Sequence, residues 1–249
     1  MDRRRFVELG VLAAAAVPSG CVQRPTEVWG GGEAGRLSAR WHTPALVLEP
    51  GLHPLGFHPY RDGFIRIPSG YRPEMEAPFT VLLHGAGGSA EDWSSAFGLF
   101  DELGMVALGL NSESSSWDLR YGGFGRDLAI LDAALFRVFE EVRVDPTRLA
   151  VSGFSDGASY SVSLGLINGD LFTHVLAFSP GFAVLHPRHG SPRVFLGHGV
   201  LDTVLPVSFT RHLADVLRTD GYEVRYEEFN EGHIVPRTVA AQAFGWVAG

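Results

Sequence analysis

Apolar and polar positions in this chain follow two alternating patterns from about residue 44 onward. Short continuous apolar runs, such as Phe79–Leu83, are typical of strands that are buried on both faces. Longer stretches, such as Phe124–Val142, place apolar residues three or four positions apart, which is typical of amphipathic helices. The pattern predicts strands over 64–67, 79–83, 105–110, 148–153, 174–178, 193–197 and 223–229. It predicts helices over 92–103, 124–142, 155–168, 207–219 and from about 237 onward.

Strands that alternate with helices at this spacing predict right-handed βαβ units. The expected fold class is therefore α/β: one domain over 44–249, with a mostly parallel, doubly wound sheet and helices on both faces. Two longer loops, 111–123 and 179–192, stay unassigned. In an open α/β sheet the loops at the carboxyl ends of the strands hold the site, so we expect the chemistry to follow the strands.

The first 43 residues do not share this pattern. Arg3, Arg4 and Arg5 precede a short apolar segment over 9–17, which predicts an export signal over 1–21. Arg-Arg-x-Phe followed by an aliphatic residue also resembles a twin-arginine signal. Residues 22–43 are rich in glycine, proline and polar residues, and they predict a flexible tether.

Cys21 stands where a signal peptidase would cut, directly after Pro18-Ser19-Gly20. Small residues before a lone cysteine resemble a bacterial lipoprotein box, although Pro18 replaces the usual leucine. The alternative is an ordinary signal peptide with an incidental cysteine. We therefore expect an exported protein: a periplasmic or membrane-anchored lipoprotein with a lipidated Cys21 as its tether, or otherwise a secreted protein.

Composition excludes several kinds of chemistry. Cys21 is the only cysteine, so the processed chain has no thiol for a disulfide, a cysteine nucleophile or a cysteine zinc site. Lysine is absent, which excludes Schiff-base chemistry, pyridoxal phosphate anchoring and a P-loop lysine. A net charge of −8 without basic clusters argues against nucleic acid as a partner. The histidines form no ligand-spaced pair on a helix face, so we expect neither a metal ion nor a cofactor.

The pentapeptide Gly153-Phe154-Ser155-Asp156-Gly157 lies between a predicted strand and a predicted helix. A Gly-x-Ser-x-Gly at such a turn is typical of the nucleophile elbow of serine hydrolases. The flanking glycines remove Cβ atoms that would clash with the neighbouring strand and helix. This context predicts that Ser155 is a nucleophile and not a turn serine.

Asp202 and His233 follow two other predicted strands, in Gly197-His198-Gly199-Val200-Leu201-Asp202 and Asn230-Glu231-Gly232-His233. A serine nucleophile needs an imidazole base, and the imidazole needs a carboxylate that orients it. The chain order Ser155, Asp202, His233 is that of α/β-hydrolases. His198 and His212 fit the role of the base less well, and Glu227 and Glu228 lie inside a strand.

A glycine-rich turn, His84-Gly85-Ala86-Gly87-Gly88-Ser89, follows the strand predicted over 79–83. Such a turn aims a backbone N–H at a developing oxyanion. The N–H of Asp156, directly after the nucleophile, is the predicted second donor.

With these motifs, residues 79–245 resemble the α/β-hydrolase superfamily, and within it the compact carboxylesterases and polyhydroxybutyrate-depolymerase-like esterases. The resemblance implies a single-domain hydrolase without a large cap domain, a triad of Ser155, Asp202 and His233, and oxyanion donors at Ala86 and Asp156. Trp117-Asp118 resembles a Trp-Asp near the substrate cleft of these esterases, so Trp117 is a candidate substrate contact. Residues 111–116 lack the arginine that relatives often carry, so substrate contacts there are expected to differ.

These features predict an exported serine esterase that forms an acyl-enzyme on small-molecule or polymeric esters. Phe182, in the loop over 179–192, is a candidate apolar wall of the cleft, unless that loop is only a connector. A peptidase or amidase with the same triad, and a binding protein that kept the fold without turnover, are the alternatives. The sequence leaves the oligomeric state open.

Overall fold

The computed structural model describes residues 34–249. Within this range the strands are β1 (Gly51–Pro54), β2 (Phe64–Ile67), β3 (Ala77–Leu83), β4 (Val106–Leu110), β5 (Val144–Phe154), β6 (His174–Phe178), β7 (Arg193–Gly199) and β8 (Val224–Phe229). The α-helices are α1 (Phe97–Leu103), α2 (Arg126–Glu141), α3 (Asp156–Ile167), α4 (Val207–Thr219) and α5 (Arg237–Ala248). Two 3₁₀-helices cover Ala90–Ala96 and Asp118–Tyr121.

The eight strands of this range form one sheet in the order β1-β2-β4-β3-β5-β6-β7-β8. β1 and β2 pair in antiparallel fashion, as do β2 and β4, and all the remaining pairs are parallel. The predicted α/β class with a mostly parallel, doubly wound sheet is confirmed. β1 was not predicted, because its four residues are a short edge strand whose exposure alternates and which carries no apolar run.

The direction in which strands are added reverses around β3. The chain passes from β3 to β4 on one side and then returns to β5 on the other side of β3. Ligands of open α/β sheets bind at such a switch point, beyond the carboxyl ends of the strands. His84, directly after β3, and Ser155, directly after β5, therefore meet where the topology opens a crevice.

Both faces of the sheet are covered, as the unbroken burial of β3, β4 and β6 requires. One apolar cluster contains residues of α2, α3 and α4, such as Leu135, Tyr160 and Leu213. The other contains residues of the first 3₁₀-helix, α1 and α5, such as Trp93 and Phe244. The buried sheet thus holds the loops at the carboxyl ends of its strands, where the candidate site lies.

The helix predicted over 92–103 consists of the first 3₁₀-helix followed by α1. The predicted cap is present, since the backbone N–H of Ser89 donates to the Asp92 carboxylate at 3.0 Å. Helix α2 is two residues later at its start than the predicted stretch and one residue shorter at its end. These differences change no position in the candidate site.

The predicted tether over 22–43 needs a correction in its described part. Leu37 and Ala39 are buried in the cluster that covers α2 and α3. The Leu37 N–H donates to the Asn168 side chain at 2.9 Å, and Arg36 pairs with Asp170 at 2.6 Å. The packed domain therefore begins before residue 44, because two apolar side chains and an ion pair hold this segment in place.

The predicted export signal over 1–21, Cys21 and the first part of the tether lie outside the described residues. Within residues 34–249, none of the helices has the length and apolar character needed to cross a membrane.

Candidate active site

Ser155 occupies a strained turn between β5 and α3. Its backbone has φ +57° and ψ −120°, a conformation that side-chain-bearing residues seldom adopt. The turn is held by its surroundings, since the Ser155 N–H donates to the Phe178 carbonyl at 2.8 Å. A Cβ on Gly153 would lie 2.1 Å from the Gly157 carbonyl oxygen, and a Cβ on Gly157 would lie 2.3 Å from that of Leu83. The two glycines allow strand and helix to meet, as the pentapeptide predicted.

Ser155, His233 and Asp202 form one chain of hydrogen bonds. Ser155 Oγ lies 2.9 Å from His233 Nε2, and His233 Nδ1 lies 2.6 Å from Asp202 Oδ2. These are the distances over which a general base takes a hydroxyl proton and a carboxylate orients the imidazole. The structure therefore brings the three predicted residues together from the ends of β5, β7 and β8.

The Asp202 carboxylate is completely buried and fully hydrogen-bonded. Burial would raise its pKa, but the N–H groups of Leu205 and Val204 and the His233 ring outweigh this effect and lower the pKa below the usual range. Asp202 is thus held as a carboxylate, which is the form that stabilises an imidazolium.

His198, weighed above as a rival base, touches the same carboxylate. Its Nε2 lies 3.2 Å from Asp202 Oδ2 and 3.1 Å from the Leu205 carbonyl, and its Nδ1 lies 2.6 Å from Thr210 Oγ1. Burial lowers the pKa of His198, so the ring is neutral and supports Asp202. The spacing of His198 and Asp202, four residues apart in one turn, was the sequence signal for this contact.

The glycine-rich turn after β3 packs directly against the elbow. A Cβ on Gly85 would lie 3.3 Å from Ser155 Cβ. The N–H groups of Gly87 and Gly88 donate to the carbonyls of Ser115 and Gly85. The Ala86 N–H has no acceptor among residues 34–249, and the Asp156 N–H, the first of α3, has none within its helix. Both predicted donors are therefore left for a ligand oxygen.

His84 fixes the shape of this turn. Its Nδ1 lies 2.7 Å from the Gly85 carbonyl, and its Nε2 accepts the Ser112 N–H at 3.1 Å. This bonding assigns the ring proton to Nδ1. Burial lowers the pKa of His84, which keeps the ring neutral and both bonds in place.

The loop between β4 and α2 braces both halves of the predicted oxyanion hole. The Trp117 indole N–H donates to the His84 carbonyl at 2.8 Å. Ser116 Oγ donates to one oxygen of the Asp156 carboxylate at 2.7 Å, and Arg120 contacts the other at 3.1 Å. We call Ser116, Trp117 and Arg120 the brace. Sequence reasoning missed its polar members, because nothing in a run of serines indicates which one reaches α3.

Trp117 is 2% exposed and packs on the rings of His84 and Tyr160. This corrects the expectation that it faces the substrate cleft: the indole is directed inward because its N–H completes the turn after β3.

The comparisons with known proteins agree with this geometry. A family model described as phospholipase/carboxylesterase matches residues 129–243, a range that includes Ser155, Asp202 and His233. The probable feruloyl esterase C of Aspergillus terreus is 26% identical over 156 residues, which cover 59% of this chain and 57% of that protein. The chain thus spans less than two thirds of the length of this curated relative.

Solved structures share the fold. Esterase PE8 superimposes with a TM-score of 0.58 and 23% identity, over 69% of this chain and 92% of that one. The fluorophosphonate-binding serine hydrolase FphF of Staphylococcus aureus superimposes with a TM-score of 0.64 and 13% identity, over 81% of this chain and 100% of that one. The chain has the fold of these hydrolases and resembles carboxylesterases in sequence. The predicted resemblance to carboxylesterases of this superfamily is confirmed.

The protein has a cavity of about 560 Å³ beside the elbow, between the helical segment 90–99 and the start of α5. We call it the elbow cavity. Its lining residues are His84, Gly85, Asp92, Trp93, Ser95, Ala96, Leu99, Phe154, Val235, Arg237 and Ala240. Two of the lining residues are near Ser155: Phe154 precedes it in the chain, and a Cβ on Gly85 would lie 3.3 Å from Ser155 Cβ. Sequence reasoning missed this cavity, because it joins residues from three separate parts of the chain.

The other candidate residues from the sequence lie elsewhere in the protein. Phe182 is half-buried, and its N–H lies 3.3 Å from Ser159 Oγ on α3. Phe182 does not line the elbow cavity, and its contact with substrate stays a prediction. Glu228 pairs with Arg211, and His212 is exposed on α4.

In the described part of the chain, His, Cys, Asp and Glu side chains do not gather in groups of three or more that could hold a metal ion.

Proposed function

We propose that this chain is an exported serine hydrolase that cleaves carboxylic esters through an acyl-enzyme on Ser155. The observation that carries the proposal is the unbroken hydrogen-bond chain Ser155–His233–Asp202 at a strained elbow, beside two N–H groups without internal partners. The name of the curated relative, a feruloyl esterase, supports the same reaction class.

In the first half-reaction, Ser155 Oγ attacks the ester carbonyl carbon while His233 Nε2 takes the hydroxyl proton. Asp202 stabilises the imidazolium. The N–H groups of Ala86 and Asp156 donate to the oxyanion of the tetrahedral intermediate, and each such donor is typically worth about 3 kcal/mol. When the intermediate collapses, the bond to the alcohol oxygen breaks and His233 returns its proton to that oxygen.

In the second half-reaction, water replaces the alcohol. His233 takes a proton from the water, whose oxygen attacks the acyl carbon of the Ser155 ester. The same two N–H groups bind the second oxyanion. When it collapses, the bond between the acyl carbon and Ser155 Oγ breaks, His233 returns its proton to Oγ, and the carboxylic acid is released.

The test uses p-nitrophenyl esters of increasing acyl length with the wild type and with Ser155→Ala. The variant should lose at least about a thousandfold in kcat, because it lacks the nucleophile. Ser161→Ala is the matched control: this serine also lies in α3, and its hydroxyl donates only to the Ala158 carbonyl. Unchanged hydrolysis in Ser155→Ala would contradict the proposal, and cleavage of p-nitroanilides at comparable rates would favour an amidase.

Labelling with a fluorophosphonate separates turnover from binding. Ser155 should be the labelled residue, and the label should be absent from Ser155→Ala. A wild type that stays unlabelled and hydrolyses nothing would indicate a binding protein with a silent triad.

Export is proposed from the sequence of residues 1–21. Mass spectrometry of the protein from cell fractions should show an N-terminus at or near Cys21 outside the cytosol. A diacylglycerol mass on Cys21 would identify a lipoprotein, and an unmodified new N-terminus a secreted or periplasmic protein. A full-length chain with Met1 in the cytosol would contradict export.

A further inference from the structure

The Asp202 carboxylate faces N–H groups on both of its oxygens. Oδ1 accepts the N–H groups of Val204 and Leu205 at 2.8 and 2.9 Å. Oδ2 lies 2.6 Å from His233 Nδ1 and 3.2 Å from His198 Nε2. Two imidazole rings therefore share the oxygen that orients the general base, and only one of the two belongs to the triad.

The surroundings of His198 decide which of its ring nitrogens carries the proton. Nε2 lies 3.1 Å from the Leu205 carbonyl oxygen as well as 3.2 Å from Asp202 Oδ2, and both of these oxygens only accept. Nδ1 lies 2.6 Å from Thr210 Oγ1, which can donate. The ring is therefore the Nε2–H tautomer, which accepts from Thr210 and directs its own N–H toward Asp202 and Leu205.

Burial makes this arrangement rigid. The side chains of His198, Thr210 and Asp202 are completely buried. Hydrogen bonds are stronger where water does not compete, and a buried polar group that loses its partner is costly. Thr210 lies in the first turn of α4 and His198 lies in β7, so the contact joins that helix to the strand that leads to Asp202.

We propose that His198 is a positioning residue: it holds the Asp202 carboxylate in the orientation that His233 needs, and Thr210 fixes the ring of His198. The hydrogen-bond chain of the site then has five members, namely Ser155, His233, Asp202, His198 and Thr210. This inference rests on the proposed esterase function and adds to it two buried residues that act through Asp202.

Two amide side chains of different length separate this role from packing. The amide nitrogen of His198→Gln takes the place of Nε2 and can donate to Asp202, whereas that of His198→Asn takes the place of Nδ1 and is too short to reach the carboxylate. His198→Gln should keep kcat for p-nitrophenyl acetate within about threefold of the wild type. His198→Asn and His198→Leu should each lose about tenfold in kcat, with KM nearly unchanged.

The pH profile gives a readout that packing does not move. Without the donor at position 198, the negative charge of Asp202 acts more fully on the His233 ring and favours its protonated form, which cannot act as a base. The acid limb of kcat/KM should therefore move to higher pH by about 0.5 in His198→Asn and His198→Leu, and stay in place in His198→Gln. A loss of packing lowers kcat at every pH and leaves the limb where it is.

The charges around position 198 are the same in all of these variants, because burial lowers the pKa of His198 and keeps the ring neutral. The charged and titratable groups that face it are Asp202, His233 and the neighbouring Glu228 of β8, which is paired with Arg211. None of them is changed, so a movement of the acid limb reports the lost donor.

Thr210→Val tests the far end of the chain. The variant keeps the branched shape of the side chain and removes its hydroxyl, so that Nδ1 of His198 loses its donor. It should lower kcat by about threefold or more with KM nearly unchanged. Thr219→Val is the matched control on the same helix, since that hydroxyl is exposed and donates to the Asp215 carbonyl. It should behave as the wild type.

Thermal unfolding of the full-length protein shows which variants fold, and Thr210→Val decides the question if the His198 variants do not. A wild-type kcat in His198→Leu, or equal kcat values in Thr210→Val and Thr219→Val, would overturn the positioning role. Equal losses in His198→Gln and His198→Asn with an unmoved acid limb would also overturn it, because they indicate packing alone.

The proposed function is tested separately by Ser155→Ala. If the wild type hydrolyses the ester and Ser155→Ala does not, the esterase stands and the variants at positions 198 and 210 decide only the positioning role. A wild type that hydrolyses no ester and stays unlabelled by fluorophosphonate would overturn the proposed function and this inference together.

Discussion

Asp156 combines two roles at the scale of a single residue. Its backbone N–H is a donor of the proposed oxyanion hole, and its carboxylate is anchored by Ser116 and Arg120. A carboxylate in the first turn of a helix is also favoured by the helix dipole. Because the side chain and the N–H belong to the same residue, the brace restricts the direction in which that N–H points.

Removing the brace should therefore slow turnover without weakening substrate binding. Ser116→Ala and Arg120→Gln should each lower kcat by about tenfold, less than the loss of a whole oxyanion donor, with KM nearly unchanged. Steady-state kinetics measure both constants, and the pH profile of kcat/KM should keep its shape because His233 and Asp202 are untouched.

Ser116→Thr keeps a hydroxyl and should retain most of the activity. Ser114→Ala, at an exposed position of the same loop, is the control and should behave as the wild type. A parallel rise in KM, or an unchanged kcat in both brace variants, would contradict a positioning role.

Asp127 is a buried carboxylate whose pKa in the folded protein differs from its usual value. Burial raises its pKa to about 6, with the N–H of Glu113 acting against this and the Asp118 charge adding to it. A raised pKa in the folded state means that the folded chain holds this proton more tightly than the unfolded chain. The stability from this group is fully present below its unfolded pKa of 3.8 and is lost as the pH rises through about 6.

Asp127→Asn removes this titration and keeps one acceptor oxygen. As the pH rises from 4 to 7, the free energy of unfolding of the variant should increase relative to that of the wild type by up to about 3 kcal/mol. Urea unfolding at several pH values measures the difference. A difference that does not change with pH would show that Asp127 has an ordinary pKa in the folded protein.

At the scale of elements, the close approach of α3 to β3 decides where the nucleophile lies. A Cβ on Gly157 would lie 2.3 Å from the Leu83 carbonyl oxygen and 2.5 Å from that of His84. These atoms belong to backbone, so they cannot move aside without shifting β3 and the turn that follows it. The close approach at Gly157 therefore couples the position of the elbow to that of the oxyanion turn.

Gly157→Ala should destabilise the protein by about 2 kcal/mol or more and lower the ester hydrolysis rate, because α3 must move away from β3. Gly98→Ala is the matched control in α1, where a Cβ has no neighbour within 4 Å. That change should stabilise the protein by about 0.5 to 1 kcal/mol. Denaturant unfolding measures the change in unfolding free energy for each variant. Equal changes in Gly157→Ala and Gly98→Ala would contradict the close approach of α3 to β3.

Most elements were predictable because their patterns are local. The apolar runs of β3, β4 and β6 and the stripe of α2 appear in consecutive residues. β1 and the 3₁₀-helix over Asp118–Tyr121 were missed. β1 and this 3₁₀-helix contain no buried residues, so neither carries the apolar pattern by which the other elements were predicted.

At the scale of the whole molecule, the domain is larger than the pattern indicated. The segment from Arg36 to Ala39 lies across α2 and the end of α3. Asp170 receives two bonds from Arg36, whose side-chain hydrogen bonds are the main reason that the pKa of Asp170 falls to about 2. The segment thus belongs to the folded unit that carries the site.

A chain that starts at residue 34 should be as stable as the full-length protein. A chain that starts at residue 44 should be less stable by about 2 kcal/mol or more, because Leu37 and Ala39 no longer cover the core. Leu37→Ala should account for much of that loss, whereas Trp41→Ala, at a half-exposed side chain, should change stability by less than about 0.5 kcal/mol. Thermal unfolding distinguishes these cases, and equal stability of both shortened chains would show that residues 34–43 are a tether after all.

The sequence by itself determined the fold class, the order of the strands along the chain and the identity of the residues that meet at the elbow. Periodicity, glycine spacing and the position of Ser155, Asp202 and His233 after strands are all properties of short segments. Only the tertiary structure decided what surrounds that chemistry. The brace, the elbow cavity and the docked N-terminal segment join residues that are far apart in the chain, such as Arg120 with Asp156 and Arg36 with Asp170. Such contacts depend on how the helices pack on the two faces of the sheet, which no local pattern specifies.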